Sequence, residues 1–227
     1  VAEKRYFLKN DDNEVIEDAP TMFRRVADAI AAVETQYGKL AIDAQLSSNE
    51  FYTIMSNLDF IPNSPTLMNA GTKQGTLSAC FVLPLEDSME GIMKAAHDTA
   101  MVQKFGGGTG FALSNIRPRG DRIKTTHGIS CGPIEVLKTL SRVSSMITQG
   151  GKRDGANMAV MDIHHPDILE FIDCKKVEGE IHNFNISVGV TDDFMKAVKA
   201  GTNYPLINPR TKEIVEELDA RDVFSKI

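Results

Sequence analysis

A cysteine in an apolar stretch is the first residue of this sequence that could carry chemistry. Cys80 lies within Ser78-Ala-Cys-Phe-Val82, which has the composition of a β-strand. An exposed thiol can act as a nucleophile or a redox group, whereas an unpaired cysteine in a strand is usually a small core side chain. Its position alone favours the core interpretation. Cys131 and Cys174 have no motif around them and are assigned structural roles as well.

The segment Phe105-Gly-Gly-Gly-Thr-Gly110 has the most unusual local composition. Consecutive glycines lack Cβ atoms, so the backbone N–H groups of such a turn can approach a ligand closely. The segment is neither a Rossmann fingerprint, because the third glycine is not at the required spacing, nor a Walker loop, because no Gly-Lys-Ser/Thr follows. A ligand-binding loop and a tight turn into a strand are equally compatible with it.

Two further loops concentrate cations in an acidic chain. The first, from Ser114 to Gly132, contains Arg117, Arg119, Arg122 and Lys124. The second, from Gln149 to Asn157, combines glycines with Lys152 and Arg153. Clustered cations can form an anion site. One such loop alone is more often simply solvated, but two together favour recognition of a phosphorylated molecule.

The segment His164-His165-Pro-Asp167 could supply metal ligands. Adjacent side chains of a strand point to opposite faces, so joint ligation by the two histidines is awkward. No His-Glu-x-x-His motif is present. We interpret the segment as a polar loop before a helix, with Asp167 near the helix N-terminus, and expect no metal.

Alternating strands and helices are predicted between these loops. The expected strands are Leu77–Leu83, Phe111–Leu113, Met158–Met161 and Phe184–Val190. The expected helices follow Asp87-Ser88, run from Pro133 to Gly150, begin at Pro166, and run from Thr191 to Gly201. Strand-then-helix units predict an α/β fold with a largely parallel sheet. Binding loops are then expected at the carboxyl ends of the strands, in residues 84–88, 114–132 and 164–167.

The first part of the chain has a different character. Met22, Phe23, Val26 and Ile30 recur at helical spacing after Asp18, and Ser47-x-x-Glu50 has the form of a capping box that would begin a second helix. Prolines 62 and 65 then exclude a regular helix. We therefore predict a helical segment over residues 1–60 and an α/β part over residues 61–227.

Composition bounds the class of protein. The 227 residues carry a formal net charge of -6, with 42% hydrophobic and 25% charged residues, which is ordinary for a globular protein. The acidic balance argues against generic nucleic-acid binding, and no apolar run approaches the ~18 residues of a membrane span. Three cysteines without a Cys-x-x-Cys pair predict neither a zinc ribbon nor a disulfide scaffold. We expect a cytoplasmic protein with reduced thiols.

Taken together, the motifs are more specific than any one of them. In order, they are Asn63–Thr72, Leu77–Phe81, Asp87–Ser88, Gly106–Gly110, Ile116–Gly120 and Gln149–Arg153. This order resembles the catalytic subunit of ribonucleotide reductase from about residue 3 to about residue 200. Gly155–Val160 and His165–Leu169 resemble the adenosylcobalamin-dependent (class II) branch. The resemblance implies a helical entry followed by the first half of a ten-stranded α/β barrel.

The resemblance also implies a substrate site for a ribonucleoside diphosphate. Ser64, Ala79 and Cys80 would contact the substrate, and Gly107 and Gly108 would line its pocket with backbone groups. Cys80 matches the family cysteine that reduces the ribose and then forms a disulfide. Its partner cysteine would come from the second half of the barrel, and a thioredoxin-type reductant would reopen the disulfide.

An allosteric site for a deoxynucleoside triphosphate is implied as well. Asp87 and Ser88 match residues that hold the deoxyribose, next to Met89, and Arg117 and Lys124 match cations near the triphosphate. The loop that relays effector identity to substrate choice would include Gln149, Gly150, Gly151, Lys152 and Arg153. Asp154 departs from the family pattern beside this loop. The resemblance implies a homodimer with the effector at its interface.

The family's radical-bearing Asn-Pro-Cys-Gly-Glu motif does not occur in these 227 residues. We therefore expect the chain alone not to reduce ribonucleotides. Two alternatives stay open at this point. One is the large subunit of the di-metal, oxygen-dependent class I reductase, and the other is a nucleotide-binding module without catalysis.

Overall fold

The computed structural model describes residues 1–73, 76–123, 127–149, 153–176 and 179–227. The chain divides into two units. The first contains Val1–Ala79 and Phe105–Gly107, and the second contains Cys80–Lys104 and Gly108–Ile227.

The first unit is helical. Its elements are α1 (Ala2–Arg5), α2 (Ala19–Ala31), a 3-10 helix (Ala32–Tyr37), α3 (Ala41–Ser56) and α4 (Ser64–Asn69). Helix α2 begins as the sequence predicts, because Asp18 accepts a hydrogen bond from Thr21 N at 2.9 Å and Thr21 Oγ1 accepts one from Asp18 N at 2.9 Å. Its apolar face, with Met22 and Val26, packs with Met55 of α3.

The expected helix start at Ser47 is wrong. Helix α3 begins earlier, at Ala41, where Asp43 accepts a hydrogen bond from the N–H of Leu40 at 3.0 Å and so satisfies an otherwise free donor. Ser48, which follows Ser47 in the chain, is 3% exposed and donates a hydrogen bond to Asp28 of α2. Ser48 therefore links α3 to α2, and Ser47 lies inside α3 instead of capping it.

The second unit is built on an open parallel sheet. Its elements are β1 (Cys80–Val82), α5 (Met89–Lys104), β2 (Gly108–Ala112), α6 (Pro133–Ser145), β3 (Thr148–Gln149), β4 (Arg153–Asp154), β5 (Asn157–Asp162), α7 (Ile168–Asp173), β6 (Phe184–Gly189), α8 (Asp192–Ala200), β7 (Asn203–Ile207), β8 (Ile214–Asp219) and α9 (Ala220–Phe224). The sheet order is β1-β2-β5-β6, and every neighbouring pair is parallel. The predicted α/β class with a helical N-terminal region is confirmed. The described strands form no closed barrel.

One face of this sheet is covered by helices. Side chains alternate along each strand, and the buried set includes Phe111 of β2, Met161 of β5 and Phe184 of β6. They form one core with Leu137 and Leu140 of α6. Burial of these apolar side chains is the main term that holds the unit together.

Two antiparallel ribbons, β3–β4 and β7–β8, were not predicted. The strands of the first have two residues each, which is too short for a periodic signal. Helix α6 starts at Pro133 as predicted, but it ends at Ser145 and not at Gly150, because the chain turns into β3. In the described ranges, no helix is both long and apolar enough to cross a membrane.

Candidate functional site

The second face of the sheet carries two of the candidate substrate residues, Cys80 and Gly108. We call it the open face and define it by the residues that alternate with the core: Cys80, Val82, Gly108, Gly110, Met158, Val160, Asn185 and Ser187. The strand register places Val82 beside Gly110, Gly110 beside Met158, and Met158 beside Asn185. Each of these residues is exposed or half-buried. The open face is therefore available to a ligand.

Cys80 is the first residue of β1 and lies on the open face. Its Cα partner in the neighbouring strand is Gly108. The thiol is free and exposed, so the core interpretation that its position favoured is wrong. Because Gly108 has no side chain, space remains beside the thiol on this face. An exposed thiol next to an open backbone is an arrangement that can react with a bound small molecule.

The other candidate substrate residues belong to the first unit. Ser64 is half-buried at the start of α4, where its hydroxyl lies 3.1 Å from that of Tyr6. Ala79 is half-buried, and Gly107 is buried. Gly106 takes a φ of +91°, which only glycine adopts readily, so the turn needs a glycine at that position. That Ser64, Ala79 and Gly107 bind the same substrate as Cys80 remains a prediction.

Asp87 and Arg117 are brought together at the opposite edge of the sheet. Asp87 follows β1, Arg117 follows β2, and Arg117 Nε donates to Asp87 Oδ2 at 2.7 Å. Arg117 also donates from its backbone N to Asp87 Oδ1 at 3.3 Å and from Nη2 to the Asp87 carbonyl at 3.2 Å. Both side chains are about one-fifth exposed, at 20% and 22%. The pair is therefore ordered and still reachable from solvent.

The residues after Asp87 begin helix α5. Ser88 Oγ accepts a hydrogen bond from Gly91 N at 3.0 Å, which is the capping role that the sequence predicted for this residue type. Met89 is 68% exposed. Asp87, Ser88 and Met89 thus lie together where the chain enters α5.

Arg119 and Arg122 are the described cations that follow Arg117 in the 114–132 loop. Arg119 donates from Nη2 to Glu170 at 2.8 Å, and its backbone N donates to Asp167 at 2.8 Å, so it ties the loop to α7. Arg122 is exposed, and Lys124 lies outside the described residues. That the cations of this loop recognise a phosphorylated molecule stays a prediction, and Arg119 itself is paired with Glu170. Its charge is already paired across the fold, which local sequence does not reveal.

The second glycine-and-cation segment begins and ends in a ribbon. Gln149 of β3 pairs with Arg153 of β4 in the antiparallel register. Gly150, Gly151 and Lys152, which the resemblance assigns to the relay loop, lie outside the described residues.

Both histidines of the 164–167 segment have their ring nitrogens in hydrogen bonds. His165 is 2% exposed; Nε2 lies 2.8 Å from the Ile116 carbonyl, and Nδ1 accepts from Asp167 N at 3.0 Å. His164 lies 2.8 Å from the Pro205 carbonyl and 3.1 Å from Thr191 Oγ1. His165 therefore links the chain just before Arg117 to the start of α7.

Replacing His165 is expected to destabilise the second unit. His165→Ala leaves the buried Ile116 carbonyl without this partner, at about 1–3 kcal/mol, and removes the acceptor of the half-buried Asp167 N–H. Denaturant unfolding followed by circular dichroism measures this loss. The control is His182→Ala, because His182 is exposed and makes one bond of 3.3 Å to Gly179. Equal stability of the two variants would contradict the role given to His165.

The three cysteines are expected to differ in reactivity. Cys80 and Cys131 are exposed, whereas Cys174 is buried, and that burial raises the pKa of its thiol to about 11. Iodoacetamide at pH 8 should therefore label Cys80 and Cys131 within minutes. Cys174 should react only after unfolding, because only about one thiol in a thousand is ionised three pH units below its pKa. Peptide mass spectrometry reads the result, and rapid labelling of Cys174 in the folded chain would contradict it.

The two candidate sites lie at opposite edges of the sheet. Cys80 and Gly108 occupy the amino ends of β1 and β2, and Asp87 and Arg117 follow their carboxyl ends. The binding loops expected at the carboxyl ends therefore do not include Cys80, which the resemblance alone assigns to the substrate.

A buried polar cluster behind β2, formed by Gln103, Thr109, Ser144 and Asn157, was not predicted. Its signal was faint: Thr99 and Gln103 continue the buried face of α5 from Ala95 at a spacing of four residues.

Comparison with known proteins covers both units. The protein-family model of the ribonucleotide reductase all-alpha domain matches residues 1–75. The model of the ribonucleotide reductase barrel domain matches residues 78–226. These matches confirm the resemblance that the motifs indicated.

Individual relatives extend the match over the whole chain. A vitamin B12-dependent ribonucleoside-diphosphate reductase of Thermoplasma acidophilum is 40% identical, over 100% of this chain and 37% of the relative. The reductase of the same name from Mycobacterium tuberculosis strain H37Rv is 41% identical, over 100% of this chain and 32% of the relative. A ribonucleoside-diphosphate reductase subunit alpha of Helicobacter pylori strain J99 is 33% identical, over 96% and 27%. The chain spans about a third of the length of these relatives.

Proposed function

The chain belongs to the ribonucleotide reductase family, and on that premise we propose that it supplies part of a ribonucleoside-diphosphate reductase. The complete enzyme reduces ribonucleotides to 2′-deoxyribonucleotides. We propose that this chain contributes the helical segment, residues 1–60, and the first half of a ten-stranded α/β barrel, residues 61–227. The observation that carries the proposal is the free, exposed thiol of Cys80 opposite Gly108 on the open face.

The thiol supplies reducing equivalents to the ribose. Replacement of the 2′-hydroxyl by hydrogen releases water and needs two electrons and two protons. Cys80 and a second cysteine provide these and are oxidised to a disulfide. A thioredoxin-type dithiol then reduces the disulfide and becomes oxidised itself. Exposure of Cys80 is necessary for both steps, because its sulfur must meet first the sugar and then the partner thiol.

The substrate is a ribonucleoside diphosphate held largely by backbone. We assign its contacts to Ser64, Ala79, Cys80, Gly107 and Gly108. Glycine is suited to this position because bare backbone N–H groups can approach phosphate or ribose oxygens and impose no side chain on the base. A pocket of this kind tolerates several bases, as a reductase for all ribonucleotides requires.

Adenosylcobalamin is the proposed radical source. The Thermoplasma and Mycobacterium relatives are named for vitamin B12. Among the described residues, no group of three or more His, Cys, Asp and Glu side chains could hold a metal ion. His164 and His165 use both ring nitrogens in hydrogen bonds. We propose that other parts of the enzyme hold the cofactor, and we derive no step through it.

The Asp87–Arg117 pair is the proposed anchor of a deoxynucleoside triphosphate effector. Asp87 can accept a hydrogen bond from the 3′-hydroxyl, while Arg117 faces the phosphates and Ser88 and Met89 flank the sugar. The pair holds each side chain in place before the effector arrives, which lowers the entropy lost on binding. Lys124 completes the phosphate contacts in this proposal.

The remaining features of the enzyme follow the family. Gln149, Gly150, Gly151, Lys152 and Arg153 form the loop that relays effector identity, and a homodimer carries the effector at its interface. The enzyme is cytoplasmic, where its thiols can be recycled by a dithiol reductant.

Turnover of the complete enzyme tests this proposal. With adenosylcobalamin, dithiothreitol and a ribonucleoside diphosphate, chromatography should detect the 2′-deoxy product, and omission of the cobalamin should abolish it. Product formation that does not depend on cobalamin would favour the oxygen-dependent class. Binding of deoxynucleoside triphosphates with no turnover under any of these conditions would favour a nucleotide-binding module.

A further inference from the structure

A cluster of buried polar side chains lies directly behind the open face. It consists of Gln103, Thr109, Ser144 and Asn157, which are between 0% and 4% exposed. Gln103 Nε2 lies 2.7 Å from Asn157 Oδ1, 3.1 Å from Ser144 Oγ and 3.3 Å from Thr109 Oγ1. Thr109 and Ser144 also donate to Asn157 Oδ1, at 2.6 Å and 3.2 Å. We call these four residues the Gln103 cluster.

One atom of the cluster has an unmet hydrogen-bonding capacity. Gln103 Oε1 is buried and has no hydrogen-bond partner among the described residues. It faces Gly155, because a Cβ atom at that glycine would lie 2.6 Å from it. Buried acceptors without partners are rare in folded proteins, so each one needs an explanation. The backbone of Gly155, between β4 and β5, lies beside this atom.

The cluster joins three parts of the molecule that the proposed function treats separately. Gln103 is next to last in α5, whose other end follows Asp87, so the helix spans about 24 Å between them. Thr109 lies between Gly108 and Gly110, the two glycines of the open face. Asn157 begins β5, two residues after Gly155, and the Ala156 carbonyl accepts from Thr109 N at 3.2 Å.

We propose that Gln103 is a positioning residue that couples the β3–β4 ribbon to the glycine-lined strand β2. The inference rests on the proposed function, and it assigns the regulation of that site to a residue outside the relay loop. A small displacement of Gly155 can bring a backbone N–H to Gln103 Oε1 and satisfy it. In this proposal Gly155 has two positions, one that leaves Gln103 Oε1 without a donor and one that supplies a donor to it. Through Gln103, each position determines how Thr109 and the flanking glycines Gly108 and Gly110 are held.

The test compares substrate discrimination with and without effector. In the complete enzyme, kcat/KM is measured for cytidine diphosphate and guanosine diphosphate, alone and with each deoxynucleoside triphosphate. The coupling is the factor by which an effector changes the ratio of the two values; allosteric factors are typically about 5- to 150-fold. Gln103→Met keeps the length of the side chain and removes all its hydrogen bonds. In this variant an effector should change the ratio of the two kcat/KM values by less than about threefold, and the Kd of the effector should be unchanged.

Gly155→Ala tests the contact between Gly155 and Gln103 Oε1 by changing the residue on the ribbon side. The φ of Gly155 lies outside the left-handed region, so its backbone tolerates alanine, but the new methyl group would meet Gln103 Oε1 and the Ser144 carbonyl. Gly155→Ala should lower the coupling in the same way, and it provides the test if Gln103→Met does not fold. The matched control is Ser141→Ala, one turn earlier in α6, where Ser141 Oγ donates to Asn183 at 2.7 Å and makes no bond to Gln103. This variant should keep the wild-type coupling.

The outcomes separate the inference from the proposed function. Wild-type coupling that both Gln103→Met and Gly155→Ala retain overturns the inference and leaves the reductase assignment intact. Equal loss of coupling in Ser141→Ala also overturns it, because the effect is then one of general destabilisation. A wild-type enzyme in which no effector changes the substrate ratio overturns the proposed allosteric function together with the inference.

Discussion

Cys80→Ser is expected to abolish ribonucleotide reduction by the complete enzyme while leaving effector binding intact. Serine has nearly the same shape as cysteine, but its hydroxyl cannot supply an electron to the sugar or form a disulfide. Loss of a group that takes part in the chemical step lowers kcat by at least about 10³-fold. Turnover is measured with dithiothreitol as the reductant, and effector Kd is measured by calorimetry.

The control for Cys80→Ser is Cys131→Ser. Cys131 is also free and exposed, and its thiol makes only a weak contact of 3.7 Å with the Gly132 carbonyl. The same chemical change at this position should leave turnover within about twofold of wild type. Turnover that persists in Cys80→Ser would contradict the role that we assign to the open face.

Arg117→Ala is expected to produce the largest loss of effector affinity. The substitution removes a cation that faces the triphosphate and leaves Asp87 without its partner at 2.7 Å. A charge-assisted hydrogen bond contributes about 1.5–3 kcal/mol, which corresponds to an increase in Kd of roughly 10- to 100-fold. Asp87→Asn should weaken binding less, because an amide oxygen still accepts a hydrogen bond from the sugar.

The neighbouring arginine of the same loop is the matched control. Arg119 pairs with Glu170 at 2.8 Å, and its side chain is 53% exposed. Arg119→Ala removes the same charge from the loop without touching Asp87, and should change effector Kd by no more than about twofold. If Arg119→Ala weakens binding as much as Arg117→Ala does, the effector is held by the general charge of the loop and not by the Asp87–Arg117 pair.

Local signals predicted the framework of the fold. Helix α2 starts after Asp18, helix α6 starts at Pro133, and helix α8 lies between its caps Thr191 and Gly201, the second of which has a φ of +71°. Capping residues and prolines act over one turn, so they are readable in the sequence. Apolar strands between such helices then require a parallel sheet.

Strand β2 shows where propensity misleads. Its predicted start was Phe111, whereas the strand begins at Gly108. Glycine is unfavourable in strands, so a glycine-rich start has no local signal. Pairing with β1 and β5 supplies the missing stabilisation, because Cys80 and Asn157 belong to the strands on either side.

The candidate site was only partly predictable for a different reason. Alternation tells which residues share a face of β1, but only the packed helices decide which face stays open, so the exposure of Cys80 could not be derived locally. The pairing of Asp87 with Arg117 joins residues 30 positions apart. Within the Gln103 cluster, Gln103 and Asn157 are 54 positions apart. Contacts at such separations are set by the tertiary fold.

A single-turnover experiment tests the central claim, that Cys80 supplies reducing equivalents to the ribose. The complete enzyme is reduced, freed of dithiol, and mixed with adenosylcobalamin and excess ribonucleoside diphosphate. The thiols are then alkylated and mapped by mass spectrometry. We predict that deoxynucleotide forms in amounts matching the thiols lost, two thiols for each product, with Cys80 recovered in a disulfide. Deoxynucleotide formation with Cys80 still fully alkylated as a free thiol would contradict the account.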